Sequence, residues 1–330
     1  MKNKKRRRKT KILIALLLLL FMGVLFSTSV YAWFTANKTV SIEQLDVNVG
    51  AGSGLQLSVD AINWKPLITQ DDIKNAQSTY SGVVNHIPDS AIYPVSTGGV
   101  IDPNTGYLNM YKGLVDTYGD HYVLQSTKST ETADKSGDFI VFDLFIKITD
   151  DAAVSLTTAS KVISDNSKGL ENAARVAFVY QGEGDLATSA TDAQEFIASA
   201  DSPVYIWEPN ADAHTGAAKK HAMDTYGIDT TNQASIKYNG VIGEFSKDDD
   251  VLLNTTPETE GNGKYFKAMS SIVYTPVNNE SETEYFSLNS GVTKFRVYIW
   301  VEGQDVDCEN DASGSKVSYN IQLSMPNDIA

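Results

Sequence analysis

The chain has 330 residues, of which 27 are basic, 41 are acidic and one, Cys308, is a cysteine. Eight of the basic residues precede Ile12, so the rest of the chain carries 19 basic against 41 acidic residues, a net charge of about −22. This acidity disfavours nucleic acid and anionic membrane surfaces as partners. A single cysteine excludes an internal disulfide, so the fold needs an ordinary hydrophobic core.

The first 32 residues have the composition of an export signal. A basic stretch ends at Lys11, an uncharged apolar run covers residues 12–26, and the small-residue cleavage site Val30-Tyr31-Ala32 follows. We predict that residues 1–32 are a signal peptide removed by a signal peptidase, and that the protein is secreted, extracellular or attached to the cell surface. The alternative is a single-pass membrane protein held by an uncleaved leader, because residues 12–30 are just long enough to cross a bilayer.

The predicted mature chain begins with an extended segment. Val40 and Ile42 share one phase of a period-two pattern, and Leu45 and Val47 continue in the opposite phase. The change of phase indicates either a bulge at residues 43–44 or a break there between two strands. The glycine-rich residues 50–54 predict a turn, with residues 55–59 as the second strand of a hairpin.

Residues 63–136 form a tyrosine-rich excursion with weak periodicity, in which we predict short strands and one helical turn at residues 71–76. Tyrosines in a β protein usually pack at the edges of a core; a carbohydrate-stacking surface is the alternative.

The strongest strand signal covers residues 139–149, which are apolar on one face throughout and on much of the other. Such a strand is buried on both sides, as in the centre of a sandwich. We expect residues 154–158 to pair beside it and residues 174–181 to form a further core strand.

We interpret residues 186–290 as an insertion with two short helices, at residues 191–200 and 217–226. Thr191 or Asp192 is expected to cap the first helix. A hairpin of residues 295–301 and 317–325, joined by a loop at 303–315, follows. The predicted fold is mostly β: a jelly-roll-like antiparallel β-sandwich over residues 33–330, with helix-containing insertions at about 63–136 and 186–290.

Catalytic motifs are absent from the sequence, which shows no nucleophile elbow, phosphate-binding loop or H-E-x-x-H frame. His214 and His221 are seven residues apart and could share a helical face, but solvated surface histidines are more common than a zinc site. We therefore predict that the protein is not an enzyme.

One acidic loop offers oxygen ligands at alternating positions: Asp305, Asp307, Glu309 and Asp311. This pattern suits a hard cation, so calcium is the one cofactor that the sequence suggests. It departs from an EF-hand, which needs glycine at the sixth place and glutamate at the twelfth. A plain solvated hairpin loop, with Cys308 buried beneath it, is the favoured interpretation.

The segment Ala-Trp-Phe-Thr-Ala-Asn at residues 32–37, before a valine-rich strand, resembles the mature start of the TasA and camelysin-like secreted proteins of Firmicutes. The long basic, leucine-rich leader and the segments 139–144, 174–178 and 299–305 are also similar to members of this group. The resemblance implies a jelly-roll domain and, in a Gram-positive bacterium, filaments of the biofilm matrix. It also implies that the N-terminal segment of one subunit completes the sheet of the next.

We call residues 33–49 the assembly strand, with these expected contact residues: Trp33, Phe34, Val40, Ile42, Leu45 and Val47. A free strand can add to an open sheet edge, and the repeat would be a head-to-tail homopolymer or a co-polymer with related matrix proteins. The strand pairing within its own domain is the alternative, and a monomeric cell-surface adhesin or glycan-binding module is the alternative function.

Overall fold

A computed structural model describes residues 40–50, 54–83, 85, 87–88, 92–119, 121–131, 137–166, 168–209, 213–226, 239–251, 262–268, 284–309 and 312–325. Its strands, in chain order, are β1 (Ser41–Val49), β2 (Gln56–Ser58), β3 (Leu67–Thr69), β4 (Val95–Ser96), β5 (Met110–Tyr118), β6 (His121–Ser129), β7 (Ile140–Ile148), β8 (Ala152–Leu156), β9 (Lys161–Ser164), β10 (Ala174–Gly184), β11 (Val204–Trp207), β12 (Asn239–Val241), β13 (Phe266–Ala268), β14 (Glu284–Leu288), β15 (Gly291–Val301) and β16 (Lys316–Ser324). Its α-helices are α1 (Gln70–Asn75), α2 (Ala190–Gln194) and α3 (Gly216–Tyr226).

Two sheets form a β-sandwich, which confirms the predicted fold class. Sheet A has the strand order β14-β8-β16-β1-β3, with β9 also paired to β16, and sheet B has the order β11-β10-β15-β7-β2. The chain passes repeatedly from one sheet to the other, as in a jelly roll. The pairing is antiparallel except between β1 and β16, which are parallel.

The main core lies between the two sheets, and sheet B also carries a second core on its opposite face. On β15, Phe295, Val297 and Ile299 belong to the main core, whereas Tyr298 and Trp300 belong to the second. Strand β7 is buried on both faces. The prediction for residues 139–149 is therefore confirmed.

Smaller sheets accompany the sandwich. Strands β4, β5 and β6 form a three-stranded sheet from the second half of the predicted excursion, and β12 pairs with β13. Their aromatic residues form a separate cluster that includes Tyr111, Phe245 and Phe266.

Three predicted pairings are wrong. Strands β1 and β2 lie in different sheets, so they do not form a hairpin. Strands β15 and β16 also lie in different sheets, and the chain between them crosses the sandwich. Strand β8 belongs to sheet A and does not pair with β7 in sheet B. In each case the periodicity located the strand, but strands adjacent in the chain are divided between the two layers.

The helices lie close to their predicted positions. Helix α1 has a capping box between Thr69 and Asp72, and α3 matches the helix expected at 217–226. Helix α2 is shorter than expected and is capped by Ser189, not by Thr191 or Asp192, because the Ser189 hydroxyl accepts from the backbone of Asp192. Within residues 186–290, β11 pairs with β10 and β14 with β8, so parts of this stretch belong to the sandwich.

Among the residues that the structure describes, no helix combines the length and the apolar character needed to cross a membrane.

Candidate functional site

Strand β1, the described part of the assembly strand, pairs along its length with β16 in the same chain. The register shifts between Ile42 and Gln44, which places a bulge where the sequence changes phase. Val40, Leu45 and Val47 are fully buried, and Ile42 is partly buried against the same core. Trp33 and Phe34 lie outside the described residues. The predicted contact residues that are described therefore fill this chain's own sheet.

The other edge of β1 has few partners in the described chain. Strand β3 pairs only with residues 46–48, and Val40 exchanges two backbone hydrogen bonds with Ile92, at 2.9 and 2.7 Å. Toward β16, Asn48 donates to Asn320 and accepts from Gln322, both at 2.7 Å. This amide ladder fixes the register of β1 on β16, because a slip by one residue would break both bonds.

The acidic loop is buried, so the expectation of a solvated hairpin loop is wrong. Asp305 is 7% exposed, Asp307 is fully buried and Glu309 is 6% exposed. The loop crosses from sheet B to sheet A beneath helix α3, where Val306 packs against Ala218 and Ala222. Asp311 lies outside the described residues.

An arginine from the core sheet supports this loop. Nη2 of Arg175 lies 2.5 Å from Oε1 of Glu208 and 2.6 Å from Oδ2 of Asp305. Nη1 of Arg175 donates to the carbonyl oxygens of Asn172 and Ala174. This guanidinium is therefore held between two carboxylates and the backbone of its own sheet.

Residues 213–226, which we call the α3 segment, contribute two histidines that contact the loop. Nδ1 of His214 lies 2.6 Å from Oδ2 of Asp307, and Nδ1 of His221 lies 3.1 Å from Oε1 of Glu309. The expectation of solvated histidines is wrong for this pair, since their side chains are 3% and 18% exposed. Burial lowers the pKa of His214, but the hydrogen bond with Asp307 and the charges of Asp305 and Asp307 outweigh burial and raise that pKa.

Glu302 adds a fourth carboxyl group to the start of the loop and is fully buried. Burial raises its pKa to about 7, against hydrogen bonds from Ser96, Trp300 and the backbone of Gln304. Cys308 is buried as predicted, and burial and the neighbouring carboxylates raise its pKa well above the ordinary value. It is therefore a protonated thiol at neutral pH.

We refer to the following five residues as the carboxylate cluster: Glu208, Glu302, Asp305, Asp307 and Glu309. The sequence pattern located three of them but missed Glu208, Glu302 and their partner Arg175. The signal for Arg175 was available, because a charged residue inside the apolar run of β10 has to be paired when that strand is central.

A second group of buried charges lies between β7, β15 and the excursion, and we call it the Arg296 network: Glu131, Asp143, Lys294 and Arg296. Arg296 donates from Nη1 to Oδ1 of Asp143 at 2.6 Å and from Nε to Oε2 of Glu131 at 3.1 Å. Lys294 lies 3.2 Å from Asp143. Burial raises the pKa of Asp143, but the charges of Arg296 and Lys294 outweigh burial and lower it.

A cavity of about 210 Å³ opens beside the Arg296 network and is lined by Asp102, Thr105, Tyr107, Leu108, Asn109, Lys128, Ser129, Thr130 and Glu131. The guanidinium of Arg296 lies 4.8 Å from the centre of the Tyr107 ring. The cavity thus places an aromatic ring beside polar groups and groups of both charges.

Comparison of the chain with protein-family models, with curated proteins and with solved structures finds no match. The resemblance to the TasA and camelysin-like group therefore stays a hypothesis, and the functional argument depends on the geometry described above.

Proposed function

We propose that this is an exported structural protein that assembles into head-to-tail filaments by exchange of its assembly strand. The observation that carries the proposal is the position of β1, an early strand whose apolar side chains enter the core and whose longest pairing is with β16. If the leader is removed as predicted, only residues 33–40 precede this strand. We call the position beside β16 that β1 occupies the slot. The same slot could then receive β1 from a neighbouring copy.

Strand exchange requires no new contacts, which is why it is a low-cost route to assembly. Val40, Leu45 and Val47 from a neighbour would fill the same core positions, and the amide ladder of Asn48 would set the same register. In the single chain the slot is filled by the chain's own strand. The proposal therefore predicts an equilibrium between a closed monomer and an open filament, with residues 50–54 as the connection that changes direction.

Cross-linking across the slot separates the two states. Gln44 and Ser318 are register partners on β1 and β16 outside the amide ladder. Gln44 is exposed and Ser318 is partly exposed, so Gln44→Cys with Ser318→Cys forms a disulfide wherever the two strands pair. Oxidation of the exported form, residues 33–330, at high concentration should give a ladder of covalent oligomers on a non-reducing gel. A double variant in the β5–β6 hairpin, Leu114→Cys with Gln125→Cys, is the matched control because those partners belong to one hairpin.

Negative-stain microscopy completes the test. Residues 33–330 should form filaments, and residues 50–330 should not, even when a peptide of residues 33–49 is added, because a separate peptide fills the slot without linking one subunit to the next. A cross-linked product that stays monomeric, together with the absence of filaments at high concentration, would contradict the proposal.

A monomeric binding module is the second candidate, and the cavity beside Tyr107 favours it. A small glycan fits the polar lining and the aromatic face. Screening residues 33–330 against a glycan array should then give saturable binding that Tyr107→Ala abolishes. Tyr118→Ala, at an exposed tyrosine of the same excursion, is the control and should leave binding unchanged.

A further inference from the structure

The α3 segment and the acidic loop bring three metal-ligating groups together at one buried point. One ligand atom each from His214, Asp305 and Asp307 lies within 4.8 Å of the others. Their side chains are 3%, 3% and 0% exposed. The two segments are about ninety residues apart in sequence, so the fold, and not local sequence, assembles this set.

The charges around this point provide an independent argument for a cation. The carboxylate cluster contributes five carboxyl groups, whereas the partners described above are one guanidinium, Arg175, and two imidazoles. Buried carboxylates require compensation by a cation or by protons.

We propose that His214, Asp305 and Asp307 bind a zinc ion that fastens the α3 segment to the acidic loop. Zinc takes imidazole nitrogen and carboxylate oxygen at about 2.0 to 2.2 Å, usually with four ligands, so three protein groups leave one place for water. Calcium instead takes six to eight oxygen ligands. The nitrogen of His214 thus distinguishes this donor set from the calcium loop expected from sequence.

The surrounding groups are placed to orient the ligands. The backbone N–H of Thr215 donates to Oδ1 of Asp307 at 3.0 Å, which leaves Oδ2 facing His214. Arg175 holds Asp305, as carboxylate ligands are commonly held by a second shell of hydrogen bonds. Nδ1 of His214 and Oδ2 of Asp307 are 2.6 Å apart, so these two atoms have to separate by less than about 1 Å to admit a tetrahedral ion. The three ligand atoms, which lie within 4.8 Å of one another, have to close around that ion.

The test starts from the exported form, residues 33–330, stripped with EDTA and dialysed against zinc chloride. Metal analysis should find one zinc per chain, millimolar calcium should not displace it, and the unfolding temperature should rise by about 5 °C. His214→Ala should lose both the zinc and the temperature rise. His121→Ala is the matched control: His121 also faces an aspartate, with Nε2 2.5 Å from Asp250, but both side chains are largely exposed.

A second measurement keeps the proposal testable if His214→Ala does not fold. Long-range proton–nitrogen NMR of the unaltered protein should show zinc shifting the ring nitrogens of a buried histidine, while the ring of His121, assigned from its alanine variant, stays unchanged. Three results would each overturn the assignment. The protein could bind no stoichiometric zinc, it could bind several zinc ions weakly and retain them in His214→Ala, or it could bind calcium without any shift of a histidine signal. The test is independent of filament formation, because it reads metal content and stability.

Discussion

The Arg296 network and the carboxylate cluster are both buried groups of charges, but they are balanced in different ways. In the Arg296 network two carboxylates, Glu131 and Asp143, face two basic side chains, Lys294 and Arg296. Among the contacts described above, the five carboxyl groups of the carboxylate cluster share one guanidinium, that of Arg175, and two imidazoles. The charges of Arg296 and Lys294 lower the pKa of Asp143 despite its burial, whereas burial raises the pKa of Glu302.

This difference indicates a structural role for the Arg296 network and a role that depends on solution conditions for the carboxylate cluster. A charge-balanced network is fixed over the pH range in which the protein works, and it ties sheet B to the excursion through Glu131. A cluster with excess negative charge depends on protons or bound cations, so its stability varies with solution conditions. We therefore expect the stability of the region that joins α3 to the acidic loop to respond to pH more strongly than that of the Arg296 network.

The largest expected effect comes from removing the central cation of the balanced network. Arg296→Met keeps most of the side-chain volume but leaves Glu131 and Asp143 without their shared partner. Breaking a buried ion pair in this way costs about 3–5 kcal/mol of the free energy of unfolding, which urea unfolding measures. Lys112→Met, at the more exposed pair with Asp138, is the control and should cost under about 1 kcal/mol. Equal effects at both sites would contradict the importance of burial.

The second prediction concerns the pH dependence of stability. The stability that Glu302 contributes should fall as the pH rises, whereas the stability that Asp143 contributes should fall as the pH drops. The folded-state pKa of Glu302 is about 7, above its unfolded value of 4.5, so its contribution to stability is present below pH 4.5 and is lost as the pH rises through 7. The loss amounts to about 3 kcal/mol at most. For Asp143, whose pKa is lowered, stability is present above pH 3.8 and is lost only at more acidic pH.

Urea unfolding from pH 5 to 8 in EDTA checks this difference. Glu302→Gln keeps the shape of the side chain and removes its titration, so the variant should gain stability relative to the original protein as the pH rises. Asp143→Asn should show a constant difference from the original protein over the same range. A constant difference for Glu302→Gln would show that this group does not titrate there.

The sequence predicted the local features of the fold but not its pairings. The double-sided burial of β7, the bulge after Ile42 and helix α3 follow from the order of apolar residues, which is a local property. The partners of β1 and β15 depend on which layer each strand enters, and alternation does not encode that choice.

The candidate site shows the same division between local and tertiary information. The acidic loop was found from the spacing of Asp305 and Asp307, but its burial depends on α3, which the chain supplies about ninety residues earlier. A run of acidic residues is usually solvated, so composition predicted exposure. Only the packed structure shows that His214 and Arg175 reach this loop.

A smaller effect is expected at His221, which lies at the edge of the carboxylate cluster. His221→Ala removes the imidazole beside Glu309, whose side chain is 8% exposed. Losing the partner of a largely buried polar group costs about 1–3 kcal/mol, less than the loss of Arg296 because some solvent reaches this position. Urea unfolding at pH 7 in EDTA measures the cost, with His121→Ala expected to change stability by under about 0.5 kcal/mol. A cost above that of Arg296→Met would reverse the order proposed for the two regions.

The smallest effect is expected on the outer face of the same helix. Lys220 and Asp224 form an ion pair four residues apart on α3, but their side chains are 72% and 50% exposed. Water and salt screen such a pair, so Lys220→Ala should change the free energy of unfolding by no more than about 0.5 kcal/mol. Because His221 is the next residue, the two alanine variants share one helix and differ mainly in which side they face. A similar cost for both would mean that the stability of α3, and not its contact with the acidic loop, accounts for the effect at His221.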